Sequence, residues 1–162
     1  MKYNLQNSNL ELNNFSVKTS FAEIKSSGLL NKNKEIDLNM LLAIDVEKLT
    51  QNLQSIVSLP QGLNVNGKIA VDINAGGSVE KELKLSGTTI LHDINAAGGP
   101  LKNNRISNLG IKLIHKLDYK IKENSVNIEQ MDIVSDFLEM KSKGGIANLR
   151  KEKNVDYELS MN

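Results

Sequence analysis

The chain has 162 residues, with 20 Lys and Arg against 19 Asp and Glu, so its formal net charge is +1. The length predicts one domain, residues 1–162, and the charge does not favour binding to nucleic acid. Cysteine and tryptophan are absent and only three Phe and three Tyr occur. Disulfides and Cys-based metal sites are therefore excluded, and the hydrophobic residues are mostly aliphatic.

The region over residues 10–44 is predicted to form antiparallel strands. Its apolar residues alternate with polar ones, which is the period of a strand with one apolar face. The clearest row consists of Ile36, Leu38, Met40, Leu42 and Ile44. No apolar run typical of a signal peptide follows Met1, and no stretch approaches the roughly 20 residues of a membrane span.

Residues 45–58 break this alternation and predict one amphipathic helix. Asp45 is placed to cap its start, and Pro60 follows its end. We expect the helix to pack on the sheet, because Lys48 is its only basic residue and helices that bind membrane surfaces usually carry several. The apolar residues at helical spacing are Val46, Leu49, Leu53, Ile56 and Val57.

Strands are predicted again over residues 63–75, 83–91 and 109–121, with a turn at Gly76-Gly77-Ser78, and further strands follow over residues 126–161. All of them keep the period-two alternation. The residues expected to line one continuous apolar surface are Leu63, Val65, Ile69, Val71, Ile73, Leu83, Leu85, Ile111, Leu113, Leu117, Val126 and Ile128.

An internal repeat links the two ends of the chain. Shifting the sequence by 116 positions places the strand unit over residues 10–40 on the similar unit over residues 126–161. Both units change parity at the same place, which predicts β-bulges at Asn13-Asn14 and at Glu129-Gln130. The repeat indicates a segment of a longer array.

The sequence contains no constellation typical of catalysis. A Gly-x-Ser-x-Gly elbow and a phosphate-binding loop are both missing. The two histidines, His92 and His115, have no neighbouring ligand motif, and His115 lies on the apolar parity of its strand. We therefore expect no enzymatic activity, no catalytic residue, no metal and no cofactor.

These elements predict a mainly β fold, an antiparallel sheet of about eight or nine strands with one helix. A helix of this length is about 21 Å long, whereas the sheet is roughly 40 Å wide, so the helix covers only part of the apolar face. Two solutions remain open. The sheet closes into a sandwich, or it curves strongly into a half-open trough that suits acyl chains, since each buried methylene contributes about 0.8 kcal/mol.

Several loose motifs carry a family resemblance over residues 36–161. They are the helix opening Asp45-Val46-Glu47-Lys48-Leu49, the strand from Leu63 to Asp72, the Gly76-Gly77 turn, the strand from Ile106 to Leu113, and a strand pair that ends at Gly144-Gly145. In this combination the chain resembles the AsmA/TamB-like family of bacterial envelope proteins, which are bridge-like lipid transfer proteins.

The resemblance implies a taco-like sheet with a hydrophobic groove, formed here by the apolar surface defined above. It also implies a place in the periplasm, a tether to the inner membrane outside this chain, and a part in phospholipid transport and outer-membrane integrity. The implied partners are phospholipid, or another acyl-chain lipid, and flanking repeats of the same long chain. The alternative is a structural β-sandwich or repeat module for assembly or adhesion, without lipid cargo.

Overall fold

The computed structural model describes residues 2–4, 9–54, 56–147, 149 and 154–161. Ten strands in these ranges form one antiparallel sheet, in which each strand pairs with its neighbours in sequence. They are β1 (Lys2–Asn4), β2 (Asn9–Lys18), β3 (Ala22–Leu30), β4 (Glu35–Asp45), β5 (Asn64–Ser78), β6 (Glu82–Ala97), β7 (Arg105–Lys120), β8 (Ser125–Ser135), β9 (Glu139–Ala147) and β10 (Asn154–Met161).

The predicted mainly β, antiparallel fold with one helix is confirmed. The sheet has ten strands rather than the expected eight or nine, and β1 is the shortest of them with three residues. Strands β1 and β10 are the two edges, and no described strand joins them. The described residues thus form an open sheet, and not the closed sandwich that the alternation also allowed.

One face of the sheet carries most of the apolar side chains, and we call it the apolar face. Directly paired residues point to the same side of a sheet, so the register traces each row from strand to strand. One row that crosses nine strands consists of Val17, Ile24, Leu42, Val71, Thr89, Leu113, Ile133, Met140 and Met161.

No second layer covers this face in the part of the chain that is described. None of its hydrophobic residues is buried, and Ser142, at 5% exposure, is the one buried polar residue. The accessible surface is 11329 Å², whereas a compact monomer of this size exposes about 8,000 Å². The excess surface agrees with a sheet whose apolar side faces solvent.

The helix is shorter than predicted. Helix α1 spans Val46–Leu53, with the Asp45 side chain accepting a hydrogen bond from the backbone N–H of Lys48 at its start. Tertiary packing stabilises most helices, but Ile56 and Val57 are 80% and 51% exposed. Because these two side chains are largely exposed, tertiary packing does not stabilise a longer helix toward residue 58.

The turn predicted at Gly76-Gly77-Ser78 is wrong by three residues. These positions are the end of β5, and the chain turns at residues 79–81. Gly77 has a φ of 112°, and a Cβ there would collide with the carbonyl oxygen of Glu82. The glycine is required by a close approach of two strands and not by the turn itself.

The two ends of the sheet share one pairing pattern at an offset of 116 residues. Leu12 pairs with Gly28, and Ile128 pairs with Gly144. A register shift follows each of these pairs, so both predicted bulges are confirmed. The turns that follow also agree. The hydroxyl of Thr19 accepts a hydrogen bond from the N–H of Ala22 at 2.9 Å, and at the equivalent positions the hydroxyl of Ser135 accepts from the N–H of Leu138 at 3.1 Å.

The third strand of each unit continues the correspondence at an offset of 119. Ile36 of β4 pairs with Leu30, and Val155 of β10 pairs with Ile146. The offset increases by three because five residues separate the paired Leu30 and Ile36, whereas eight separate Ile146 and Val155. We call β2–β4 and β8–β10 the terminal units.

Candidate functional site

The predicted binding residues lie on strands β5 to β8, which we call the central strands, although β8 is also the first strand of the second terminal unit. Eleven of the twelve are within β5, β6, β7 and β8, and Leu63 directly precedes β5. Every one is partly exposed. Ten share the apolar face by direct pairing or by alternation along one strand: Ile69, Val71, Ile73, Leu83, Leu85, Ile111, Leu113, Leu117, Val126 and Ile128.

The remaining two residues lie near the end of the helix. Val65 pairs with Ala96, on the far side of a register shift in the β5–β6 pairing. Together with Leu63 it lines a concavity of 700 Å³ between this segment and Gln54 of the helix cap. These two residues therefore lie beside the helix, at the start of β5.

No single cavity encloses the predicted residues. A concavity of 780 Å³ along β8, β9 and β10 includes Val126 and Ile128. Another of 360 Å³ touches Val71 but opens mainly on the opposite face, where Leu41 and Ala70 line it. The others are distributed along the sheet between these places. The site is therefore an extended surface, and its binding capacity depends on area and not on a few directed groups.

The predicted residues cover only part of this surface. The apolar rows continue onto the terminal units, for example through Ile24, Leu42 and Met140. The same alternation marks these residues in the sequence, but only the cross-strand register shows that they share a face with the central strands.

Hydrogen bonds within the sheet satisfy two serine hydroxyls of the apolar face. The hydroxyl of Ser26 donates to the carbonyl oxygen of Asn39 at 3.1 Å, and that of Ser142 donates to the carbonyl oxygen of Met131 at 3.0 Å. Such groups offer little to a polar ligand. The face therefore presents mainly aliphatic carbon.

His115 is the exception on this face. Among the paired residues that share it, His115 is the one histidine, and its ring nitrogens can donate or accept a hydrogen bond. It lies opposite Gly87 and Met131, and a Cβ at Gly87 would be 3.0 Å from its Nε2 atom. The imidazole thus occupies the space that the glycine leaves.

The opposite face carries exposed ion pairs. The Nζ of Lys25 lies 3.0 Å from an oxygen of Glu23, and the hydrogen bond from Lys25 lowers the pKa of Glu23. The Nζ of Lys141 lies 2.7 Å from Glu139, whose hydrogen bond raises the pKa of Lys141. Exposed pairs of this kind contribute little to stability. The same face also exposes the hydrophobic residues Leu41 and Val134.

Within the described ranges, no group of three or more His, Asp or Glu residues could hold a metal ion. None of the helices described there is long and apolar enough to cross a membrane. The chain matches no protein-family model, no curated protein and no solved structure.

Proposed function

We propose that the chain is a non-enzymatic segment of an AsmA-like envelope protein, and that its apolar face binds the acyl chains of phospholipids. One observation carries the proposal. An apolar face that extends over nine strands is left open, and no described hydrophobic residue is buried. Contiguous exposed apolar patches above a few hundred Å² typically mark binding surfaces.

The chemistry of the face favours acyl chains over other ligands. Most of its residues are aliphatic, Ser26 and Ser142 are bonded to the sheet, and no Trp occurs in the chain. Its aromatic residues Phe15, Tyr119 and Tyr157 lie on three separate strands. Flat ring ligands usually require aromatic partners, whereas an alkyl chain requires only apolar area. Each methylene that leaves water contributes about 0.8 kcal/mol, so ten half-covered methylenes contribute about 4 kcal/mol.

In this proposal the sheet curves into a groove and phospholipid moves along it between the inner and outer membranes, which maintains the outer membrane. The chain lies in the periplasm, with a tether to the inner membrane outside this chain and with flanking repeats. The support is the resemblance over residues 36–161 and the pair of terminal units, which have the same strand register.

Mass spectrometry of gently purified protein tests the proposal. We expect phospholipid to copurify with the wild-type chain, and we expect Val71→Asp to lose most of it because a carboxylate then lies on the apolar face. Ala70→Asp is the matched control, since Ala70 is the adjacent residue on the opposite face and is exposed. Lipid-free wild-type protein, or equal loss in both variants, contradicts the proposal.

The second candidate is a structural module for assembly or adhesion. The observation in its favour is that β10 is an edge strand whose eight residues are all exposed, and free edges are sites of strand addition. A lipid-free protein that still associates through this edge would favour the structural module over the lipid groove.

A further inference from the structure

Strand β10 occupies the position in its terminal unit that β4 occupies in the first. Each strand pairs on one side with a glycine-containing strand, β9 or β3. A Cβ at Gly28 would lie 2.9 Å from the Cα of Leu38, and one at Gly144 would lie 2.8 Å from the Cα of Tyr157. The close contacts between the glycine-containing strand and its neighbour are therefore made at equivalent residues in the two units.

The other side of the two strands differs. Strand β5 covers β4 along its whole length, from the pair Glu35–Ser78 to the pair Asp45–Lys68. In the described part of the chain β10 has no neighbour on that side. A row of backbone N–H and C=O groups is consequently available for pairing.

The apolar side chains of β10 are also more exposed than those of β4. Its apolar residues Val155, Tyr157, Leu159 and Met161 are 65%, 49%, 53% and 64% exposed. The equivalent residues of β4 are only partly exposed because β5 packs beside them: Ile36, Leu38, Met40 and Leu42. An added strand would bring the β10 row to the same burial.

Strand β10 has few of the devices that usually block strand addition. It contains no proline, and its pairing with β9 continues for eight residues without a register shift. Its charged residues on the polar face are Asp156 and Glu158, and the Nζ of Lys143 lies 3.0 Å from Glu158. One acidic group is thus already neutralised on the β9 side.

We infer that the free edge of β10 binds a strand of the β5 type, supplied by a further copy of the repeat unit, in the register that β5 has on β4. The 119-residue offset predicts which residues would pair. Leu41 pairs with Asp72 in β5, and Ser160 is the residue of β10 equivalent to Leu41. An incoming strand would thus place its Asp72 equivalent opposite Ser160. This inference deepens the proposed function by naming the surface at which a flanking repeat joins.

Disulfide crosslinking tests the register, because the chain has no cysteine of its own. The probe is a synthetic peptide with the sequence of residues 64–78, carrying Asp72→Cys. We expect it to crosslink to the Ser160→Cys protein about tenfold faster than peptides carrying Ala70→Cys or Asn74→Cys, since disulfide geometry tolerates little displacement. Glu158→Cys with the Asn74→Cys peptide is a second matched pair.

Leu41→Cys is the control protein variant. Leu41 is 51% exposed, as a reactive position requires, but β5 already occupies its edge. Equal crosslinking of Leu41→Cys and Ser160→Cys, no preference among peptide positions, or no crosslinking at millimolar peptide would overturn the inference. The readout needs no lipid, so it can fail while copurified phospholipid supports the groove, and the reverse also holds.

Discussion

Single glycines determine how closely neighbouring strands approach. Gly28 lies in β3 against the backbone of β4, where a Cβ would collide with the carbonyl oxygen of Asp37. Gly76 lies in β5, where a Cβ would meet only the carbonyl oxygen of Ile36 at 3.8 Å. The two glycines are thus chemically identical but differ in the space beside them.

We predict that Gly28→Ala lowers the free energy of unfolding by about 1–3 kcal/mol, because the added methyl group forces the strands apart. Gly76→Ala should be neutral or slightly stabilising, since alanine reduces the entropy of the unfolded chain. Urea denaturation of both variants measures the difference. Equal stability of the two variants would contradict the close contact between β3 and β4 at Gly28.

At the scale of elements, alternation predicted the strands well because adjacent residues of a strand point to opposite faces. The predicted strand over residues 109–121 corresponds to β7, Arg105–Lys120. The ends of elements were less accurate. Alternation shows neither that Gly76 and Gly77 continue β5 nor that the helix ends at Leu53, because both depend on tertiary contacts.

The helix start provides a prediction with a pH dependence. The backbone N–H of Lys48 donates to Asp45 at 3.1 Å and lowers the pKa of Asp45 below its ordinary value of 3.8. A carboxyl with a lowered pKa stabilises the fold fully above its ordinary pKa, and this contribution is lost as the pH falls through the lower value of the folded state.

Asp45→Ala should therefore destabilise the protein at neutral pH, and its difference from wild type should shrink in acid as Asp45 is protonated. Asp45→Asn keeps an oxygen that accepts the Lys48 bond, so it should lose less stability and show no titration at this site. Denaturation at several pH values measures both effects. A constant difference between Asp45→Ala and wild type from neutral to acid pH would contradict the cap.

At the scale of the whole molecule, sequence patterning predicted an apolar face but not its environment. A closed sandwich and an open sheet require the same alternation, and the cross-strand register alone shows that ten strands remain in one layer. The candidate surface was likewise predicted only over the central strands. Its continuation through Ile24 and Met140 follows from pairing between strands that are distant in sequence.

The proposed function requires that the apolar face binds lipid and that the polar face does not. A photo-crosslinking amino acid in place of Val71 or of Asp72 tests it most directly, because these neighbours lie on opposite faces of β5. With vesicles of a saturated diacyl phospholipid, we expect crosslinked lipid from the Val71 position and little from the Asp72 position. No capture at Val71, or equal capture at both positions, would contradict the lipid groove.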